Sequence, residues 1–490
     1  MKRSRSWTAV LTLATLHCSS SGGSSSSSAS PGTSSDAAPS PTSTSPGPGC
    51  GSGASFAGSR ATFPNDDSAI GVGTDRRWAR GSGHAIFWDP SRLPEGGYNE
   101  VQESDDGVNW RTVGQAPRFA GRAVWKVPYA GPAIMWVRIA PDGEAPLAPI
   151  SVRLTPSQNA HYKWSQVFAD GPFNPRDGAG ALVYRDRMWL LGGWNPLIPA
   201  IYPRTCNNEV WSSSDGVSWR NEKPNTFDSW GFDGSLDWEG RHTAGYVVYR
   251  NRMWILGGDI IQGRYQMDAW SSDDGQSWIR ESPDMGMPQR ALQYTVNYGE
   301  KLWIMGGQTM PDFVNAGGTT KVFDDVWMST DARNWDQVPQ DGPHWAPRGI
   351  ISGQVVFDNK MWVVGGGVYT NWDHPERTYY NDVWSSSDGK TWDQHGDDSI
   401  PWDPRQYLNV TVYDGRIFVL GGYNQRGNLR DVWFTQDGEN WYEVGDTPWI
   451  ERHAASTWVF KGGLYIGVGN AVQGGAMHAD LWRLDAQTTP

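Results

Sequence analysis

Residues 176–193 read RDGAGALVYRDRMWLLGG, and the same pattern recurs along the rest of the chain. An arginine opens an apolar strand, a tight polar turn leads to a second apolar strand ending in Gly-Gly, and a later short strand carries a tryptophan. Six copies occur, opening at Arg176, Arg241, Arg290, Arg348, Arg405 and Arg452. A period of about 50 residues with Gly-Gly and aromatic marks is typical of four-stranded propeller blades. The repeats therefore predict an all-β, six-bladed β-propeller over residues 160–490.

The marks of one copy resemble the kelch motif. In the first copy they are Arg176, the pair Gly192 and Gly193, Trp211 on the third strand and Trp219 on the fourth. The resemblance implies a kelch-type propeller similar to the central domain of galactose oxidase and to N-acetylneuraminate epimerase. Kelch propellers include enzymes, sugar-binding proteins and interaction modules, so the fold alone does not choose a function.

The sixth copy lacks a final strand, because the sequence after Trp482 contains no further tryptophan. A matching strand, YKWSQV at residues 162–167, precedes the first copy. We expect this strand, with Trp164, to complete the last blade and so remove exposed sheet edges.

The string Ser-x-Asp-Gly-x-x-Trp spans Ser213 to Trp219 and Ser386 to Trp392. It resembles the Asp-box of sialidases. It also occurs outside the repeats, from Ser104 to Trp110, which favours a structural hairpin with a packed tryptophan over a catalytic element.

The first 18 residues have the pattern of an export signal. Lys2, Arg3 and Arg5 precede an apolar run at residues 9–16, and Cys18 follows. The segment resembles a bacterial lipoprotein signal, which implies lipidation of Cys18 and a periplasmic or cell-surface protein held at the outer or cytoplasmic membrane. A simple secreted protein is the alternative.

Two regions separate this signal from the repeats. Residues 19–55 are rich in Ser, Gly and Pro, which predicts a disordered tether. Residues 56–156 contain alternating strands that do not fit the repeat. Their order of a Trp strand, a Tyr-x-Val strand and a late Val-Arg-Ile strand is similar to fibronectin type III domains, which implies an immunoglobulin-like β-sandwich used as a spacer or binding module.

Composition restricts the ligand. The formal net charge of −12, together with export, argues against nucleic acid as a partner. The sequence contains no zinc, phosphate-loop or nucleophile-elbow motif, so we expect no metal and no cofactor. Export would permit a disulfide between Cys50 and Cys206.

The candidate binding site lies on the face with the long loops, because rigid scaffolds carry ligand sites on such loops. The six arginines that open the repeats are the candidate ligand-binding residues at the channel mouth, since guanidinium groups pair with carboxylates in a bidentate manner. A structural role remains open, in which each arginine pairs with a loop carboxylate or stacks on a tryptophan.

Other chemistry is compatible with the same face. His242 and His453 directly follow two of the six arginines that open the repeats, which we call the ring arginines. His344 and His374 also fall near the loops, and for all four histidines a structural placement is favoured over metal binding. Cys206 with loop tyrosines such as Tyr202 allows a copper radical oxidase, although no Tyr-His pair occurs in the order that family requires.

These observations predict an exported, membrane-anchored module that binds an anionic glycan or a protein at the arginine-ringed mouth. The alternative is a sugar-acid enzyme resembling N-acetylneuraminate epimerase, in which arginine pairs with the sugar carboxylate and a loop carboxylate or histidine moves a proton. A copper radical oxidase ranks third. Whether the chain is an enzyme stays open, and no catalytic residue is assigned.

Overall fold

The protein is described from a computed structural model that covers residues 76–94, 96–158, 160–195, 204–261, 263–312, 317–349, 354–371, 373–396, 399–471 and 476–487. The predicted signal and tether, including Cys18 and Cys50, lie outside these residues. Within them, no helix has the length and hydropathy of a membrane span.

The region before the repeats forms two sheets around one apolar cluster. The strands are β1 (Arg76–Ala79), β2 (Gly83–Phe87), β3 (Tyr98–Ser104), β4 (Arg111–Pro117), β5 (Arg122–Lys126), β6 (Ile134–Pro141) and β7 (Ile150–Thr155), with short 3-10 helices at Pro90–Arg92 and Arg118–Ala120. A five-stranded sheet has the order β1-β7-β6-β3-β4, and β2 pairs with β5. Trp78, Trp125 and Met135, from three of these strands, share the core.

Strand β2 attaches this region to the repeats by backbone hydrogen bonds. The Gly83 amide donates to the Trp441 carbonyl and the Ala85 amide to the Ser399 carbonyl, both at 2.8 Å. Between them, the buried ring of His84 lies 4.0 Å from the Trp78 ring and parallel to it. Its Nδ1 is 3.1 Å from Ser399 Oγ. The two regions are therefore joined by hydrogen bonds and ring packing and not by a tether alone.

Six four-stranded antiparallel sheets account for the repeats. After β8 (His161–Phe168), the first sheet contains β9 (Gly180–Tyr184), β10 (Arg187–Leu191), β11 (Val210–Ser213) and β12 (Trp219–Lys223). The second contains β13 (Gly245–Tyr249), β14 (Arg252–Leu256), β17 (Ala269–Ser272) and β18 (Ile279–Ser282), with a small hairpin of β15 (Asp259–Ile261) and β16 (Arg264–Tyr265). The third contains β19 (Tyr294–Tyr298), β20 (Lys301–Met305), β21 (Val326–Ser329) and β22 (Asp336–Val338).

The remaining sheets follow the same plan. The fourth contains β23 (Gln354–Phe357), β24 (Lys360–Val368), β25 (Thr378–Ser386) and β26 (Asp393–His395), and the fifth β27 (Asn409–Tyr413), β28 (Arg416–Asn424), β29 (Gly427–Thr435) and β30 (Tyr442–Val444). The sixth contains β31 (Ser456–Phe460), β32 (Gly463–Gly467) and β35 (Leu481–Gln487), with a small hairpin of β33 (Asn470–Ala471) and β34 (Ala476–Met477). The first strand of each sheet lies beside the first strand of the next, and β31 lies beside β9.

Strand β8 supplies the fourth strand of the sixth sheet, as the sequence predicts. It pairs antiparallel with β35, with Trp164 opposite Leu484. Trp164 also replaces the missing final tryptophan. In the second and fifth sheets, a tryptophan from the preceding loop meets the final one edge-on, Trp238 with Trp278 and Trp402 with Trp441. Trp449 meets Trp164 in the same way, with 6.0 Å between ring centroids.

Glycines set the geometry where the second strand of a repeat ends. Gly192 and Gly193 have φ values of 61° and 107°, which L side chains rarely adopt. A Cβ on Gly193 would lie 3.0 Å from Cδ of Arg176. The Gly-Gly pair is therefore required for close approach to the ring arginine.

The Ser-x-Asp-Gly strings form hairpin turns, as predicted. Ser213 Oγ accepts a hydrogen bond from the Gly216 amide, and Asp215 Oδ1 accepts from two backbone amides, at 2.7 and 2.8 Å. These bonds hold the pKa of Asp215 down, at about 2. The turn at Ser104 in the first region has the same bonds. Recurrence in two different sheet arrangements identifies the string as a structural element.

Candidate functional site

The six ring arginines are buried and paired. Each has a side-chain exposure of 0%, and each contacts a carboxylate at 2.5 to 2.7 Å. The pairs are Arg176–Glu209, Arg241–Asp268, Arg290–Asp325, Arg348–Asp382, Arg405–Asp431 and Arg452–Asp480. The expectation that these arginines bind ligand at a channel mouth is therefore corrected, because no surface of their side chains is accessible. The alternative role, in which each arginine pairs with a carboxylate inside the protein, agrees with these contacts.

At all six arginines, Nε and NH1 donate to backbone carbonyls in the same way. In the fourth repeat, Arg348 Nε donates to the Ala346 carbonyl, and NH1 donates to the Gly365 carbonyl and to Asp382. The same carboxylate accepts from the indole nitrogen of Trp384 at 2.8 Å. This explains why an acidic residue stands two positions before the tryptophan in every copy: it joins the arginine, which lies before the first strand, to the tryptophan of the third strand.

Arg241 is the exception among the six. Its NH1 binds Asp268 at 2.6 Å, but among the described residues its NH2 is buried without a hydrogen-bond partner. Asp268 Oδ2 instead accepts from Trp270 and lies 3.7 Å from Arg280. The second repeat is therefore the place where the arginine network is incomplete.

The residues that follow the arginines form the mouth on the long-loop face. In five of the described repeats, the residue after the arginine forms a bridge to the residue after the second glycine of the copy: Asp177 with Trp194, His242 with Asp259, Ala291 with Gln308, Gln406 with Tyr423 and His453 with Asn470. Two positions after the arginine, the backbone turns with positive φ at Gly178, Thr243, Leu292, Tyr407 and Ala454. Hydrogen bonds join several of these neighbours, such as Thr243 N to Gly178 O at 3.2 Å. In the repeats where both positions are described, positions one and two after the arginine therefore line the centre.

An acid–base group occupies one side of this mouth. His242 Nδ1 lies 2.9 Å from Asp259 Oδ1, which also accepts from Thr243 Oγ1. Burial alone would lower the pKa of His242, but the charge of Asp259 holds that pKa well above its usual value. Burial raises the pKa of Asp177 to about 6, against the opposing effects of His242 and the Asn470 amide. Proton transfer requires a group that gives a proton and a group that accepts one. His242 and Asp177, whose pKa values are both raised, could serve as such a pair.

An aromatic group occupies the other side, and we call it the tyrosine cluster. Its members are Tyr369, Tyr379, Tyr407, Tyr423 and His453. The ring centroids of Tyr407 and His453 are 5.2 Å apart, and those of Tyr423 and His453 are 5.6 Å apart. Four of these rings are half-buried and so remain partly accessible, whereas Tyr379 is buried.

Arg377 completes the tyrosine cluster. Its side chain is exposed, and its NH1 donates to the hydroxyl of Tyr423 at 3.2 Å. Burial lowers the pKa of Arg377, but the neighbouring Tyr379 and Tyr423 raise it by more, so the net shift of this pKa is upward. Unlike the six ring arginines, Arg377 presents a guanidinium group at the surface.

The other residues considered from the sequence, the remaining histidines, Cys206 and Tyr202, do not form one site in the described structure. His344 meets Trp345 edge-on, and His374 bridges to Asn371. Cys206 is buried and has no disulfide partner among the described residues, which do not include Cys50; its Sγ lies 3.3 Å from the Ile260 carbonyl oxygen and 3.8 Å from His242 Nδ1. Tyr202 lies outside the described residues. Within the described part of the chain, no three His, Cys, Asp or Glu side chains are grouped to hold a metal ion.

Sequence reasoning missed most of the mouth. Asp177, Asp259, Tyr407 and Tyr423 were not singled out, although their spacing offers a signal: each stands one or two positions after an arginine or directly after Gly-Gly. Their residue types differ between copies, whereas the arginine and Gly-Gly positions do not vary in the early copies. The positions that vary between copies, next to positions that do not, therefore indicate where the mouth lies.

The repeats match a known family. A family model described as the KLHDC2/KLHL20/DRC7 Kelch-repeats domain matches residues 294–489. The match and the six sheets together support a kelch β-propeller. No curated protein matches the chain.

Proposed function

We propose that this protein is a binding module: a closed, six-bladed kelch propeller that holds a protein partner against the tyrosine cluster. The match to kelch repeats agrees with a protein-interaction or binding role. Closure is supported by the cyclic contact of the first strands and by the pairing of β8 with β35.

The accessible tyrosine cluster is the observation that carries this proposal. Tyrosine provides a large, rigid contact area with one polar tip, and it is enriched at protein interfaces. Arg377 adds a surface donor beside Tyr423, and arginine is likewise enriched among residues that dominate binding energy. The buried ring arginines hold the loops that present this surface, so they contribute to binding only through the scaffold.

A comparative capture experiment tests the proposal. The wild-type protein, a Tyr423→Ala variant and a Tyr98→Ala variant are immobilised and exposed to extracts of the native host, and retained proteins are quantified by mass spectrometry. Tyr98 is a control tyrosine, 57% exposed, at the start of β3. We expect at least one protein that is retained by wild type and Tyr98→Ala and lost with Tyr423→Ala. Equal retention by all three proteins would contradict the proposal.

We further propose the context in which the module acts. The N-terminal sequence favours export, lipidation of Cys18 and a flexible tether. The two sheets of residues 76–155 fit the fibronectin type III-like β-sandwich expected there, and this region would serve as a spacer that sets the height of the propeller. A glycan in place of a protein partner is tested by a glycan array with the same variants.

A second candidate function is proton transfer on a sugar acid. The acid–base group of Asp177, His242 and Asp259 favours it, whereas the burial of all six ring arginines removes the carboxylate clamp implied by the epimerase resemblance. The test is anomer exchange of N-acetylneuraminate followed by proton NMR. Acceleration that disappears in both Asp177→Asn and His242→Gln would establish the activity, and a rate equal to that of buffer would exclude it.

A further inference from the structure

A cavity on the long-loop face lies beside the second repeat, away from the tyrosine cluster. Its volume is about 310 Å3. Its polar lining includes Glu239, Gln266, Asp268, Arg280 and Asp284. Its apolar lining is provided by Tyr265, Met267, Pro283 and Met287. We call it the acidic cavity.

The charge of the acidic cavity is unbalanced. Asp268 is already paired with Arg241 at 2.6 Å, and it also lies 3.7 Å from Arg280, the only cationic side chain of the lining. Glu239 and Asp284 have no ion-pair partner among the described residues; Glu239 accepts one hydrogen bond from Gln266, and Asp284 accepts one from the Gly286 amide. Two carboxylates are therefore available to a cation that enters the cavity.

Gln266 provides a separate observation. It is 6% exposed, and its amide nitrogen donates to Glu239 Oε2 at 3.1 Å. Its amide oxygen is buried without a partner in the described structure. A buried acceptor without a donor costs free energy, so such an oxygen is suited to a ligand that brings an N–H group.

The shape and chemistry of the lining select an organic cation. Thioether and tyrosine walls suit an alkyl chain, because methionine adapts to flexible apolar groups. A bare metal ion does not fit, since in the described residues no three acidic, His or Cys side chains are grouped to hold one. A chain with a net charge of −12 also attracts basic partners over a distance.

From these observations we infer that the acidic cavity binds a lysine or arginine side chain of a peptide, with Glu239, Gln266 and Asp284 as the recognising groups. The inference rests on the proposed protein-binding function and names the chemistry of the partner: a segment that carries a basic residue. The alkyl part of the side chain lies against Met267 and Met287, and its N–H groups reach the carboxylates and the Gln266 oxygen.

Fluorescence anisotropy with defined peptides tests the inference. The probes are fluorescein-labelled Gly-Ser decapeptides that contain three arginines, three lysines or three citrullines, and the full-length protein is used at 50 mM and 150 mM salt. Citrulline preserves the shape of arginine without its charge. We expect the arginine or lysine peptide to bind at least tenfold more tightly than the citrulline peptide at both salt concentrations.

Isosteric variants locate the site. Glu239→Gln combined with Asp284→Asn should weaken binding of the basic peptide at least tenfold. Asp186→Asn is the matched control, because its carboxylate is 80% exposed and lies on a tight turn between β9 and β10. It should leave binding unchanged. Similar affinity for the citrulline peptide, or equal loss in the control, would overturn the inference, the second by showing only the general attraction of an acidic surface.

Two results separate this inference from the proposed function. Binding of the basic peptide that depends on Glu239 but not on Tyr423 would support the acidic cavity even where the tyrosine cluster captures no partner. Capture that depends on Tyr423, without a preference for basic peptides, would leave the proposed function standing and reject the cavity as a cation site. Melting temperatures of all variants establish that each is folded.

Discussion

Arg348 donates two parallel hydrogen bonds to the carboxylate of Asp382, at 2.6 and 2.8 Å, inside the structure and away from solvent. The guanidinium also stacks on Tyr380, 3.9 Å from the ring centroid. Burial would lower the pKa of Arg348, but Asp382 more than offsets this and the net shift is upward. The arginine therefore functions as a structural tie between the segment that precedes β23 and the third strand of the fourth repeat, β25.

Replacing Arg348 by alanine should lower the free energy of unfolding by about 3–5 kcal/mol, because it leaves the Asp382 carboxylate buried without its cation. Urea denaturation followed by tryptophan fluorescence measures this change. Arg250→Ala, at an exposed tight turn, is the control and should change stability by less than about 0.5 kcal/mol. Wild-type stability in Arg348→Ala would show that the pair is dispensable.

Trp164→Ala should destabilise the repeats by about 3 kcal/mol, near the lower end for loss of a tryptophan, since Trp164 is half-buried. The physical reason is the lost contact with Trp449 in the sixth sheet. Trp230→Ala removes a tryptophan that is 88% exposed and should have little effect. If the two variants have equal melting temperatures, β8 does not contribute to the stability of the sixth sheet.

Lowering the pH should decrease the free energy of unfolding through protonation of His84. Burial, followed by the charge of Arg76, lowers the pKa of His84 to about 3. The unfolded chain takes up a proton near pH 6.5 and the folded chain does not, so stability is fully present above that pH and falls as the pH drops toward 3. The loss from His84 should reach about 2 kcal/mol between pH 6.5 and pH 4.5.

The His84→Gln variant checks this assignment by urea midpoints at the two pH values. The part of the pH dependence due to His84 should disappear in the variant and persist in His161→Gln, which alters an exposed histidine. His453, whose pKa burial lowers to about 4, contributes in the same direction and should account for part of what remains. An identical pH dependence in His84→Gln and wild type would refute the role of His84.

Lipidation is tested at Cys18. If Cys18 is lipidated as proposed, the wild-type protein should sediment with membranes in the native host and the Cys18→Ala variant should be soluble, because the variant would lack the acyl anchor. Fractionation and immunoblotting provide the measurement. A wild-type protein found wholly in the soluble fraction would favour the simple secreted alternative.

Much of the fold was readable because its constraints are local. Asp215-Gly216 and Gly192-Gly193 require backbone conformations that few residues adopt, so the sequence marks the turns and the strand ends directly. The missing final tryptophan of the sixth copy likewise indicated Trp164, and the pairing of β8 with β35 confirms it. The kelch resemblance is supported by the match over residues 294–489.

The site was less predictable because burial of an arginine depends on distant residues. Arg176 is covered by its own Gly192 and by Glu209, which is 33 positions away on another strand. Sequence alone left both an accessible and a buried arginine open. The mouth itself depends on which side chains converge from six copies, as Asp177 and Asn470 do at 3.0 Å across 293 positions. No local pattern specifies such contacts.

The pairing of β8 with β35 imposes an order on folding. Residues 161–168 emerge early from the ribosome, yet their strand partner at Leu481–Gln487 is synthesised more than 300 residues later. Formation of this last strand pair is thus a non-local and slow event that follows translation of all six repeats. Until then β8 has an unpaired edge, which other chains can pair with.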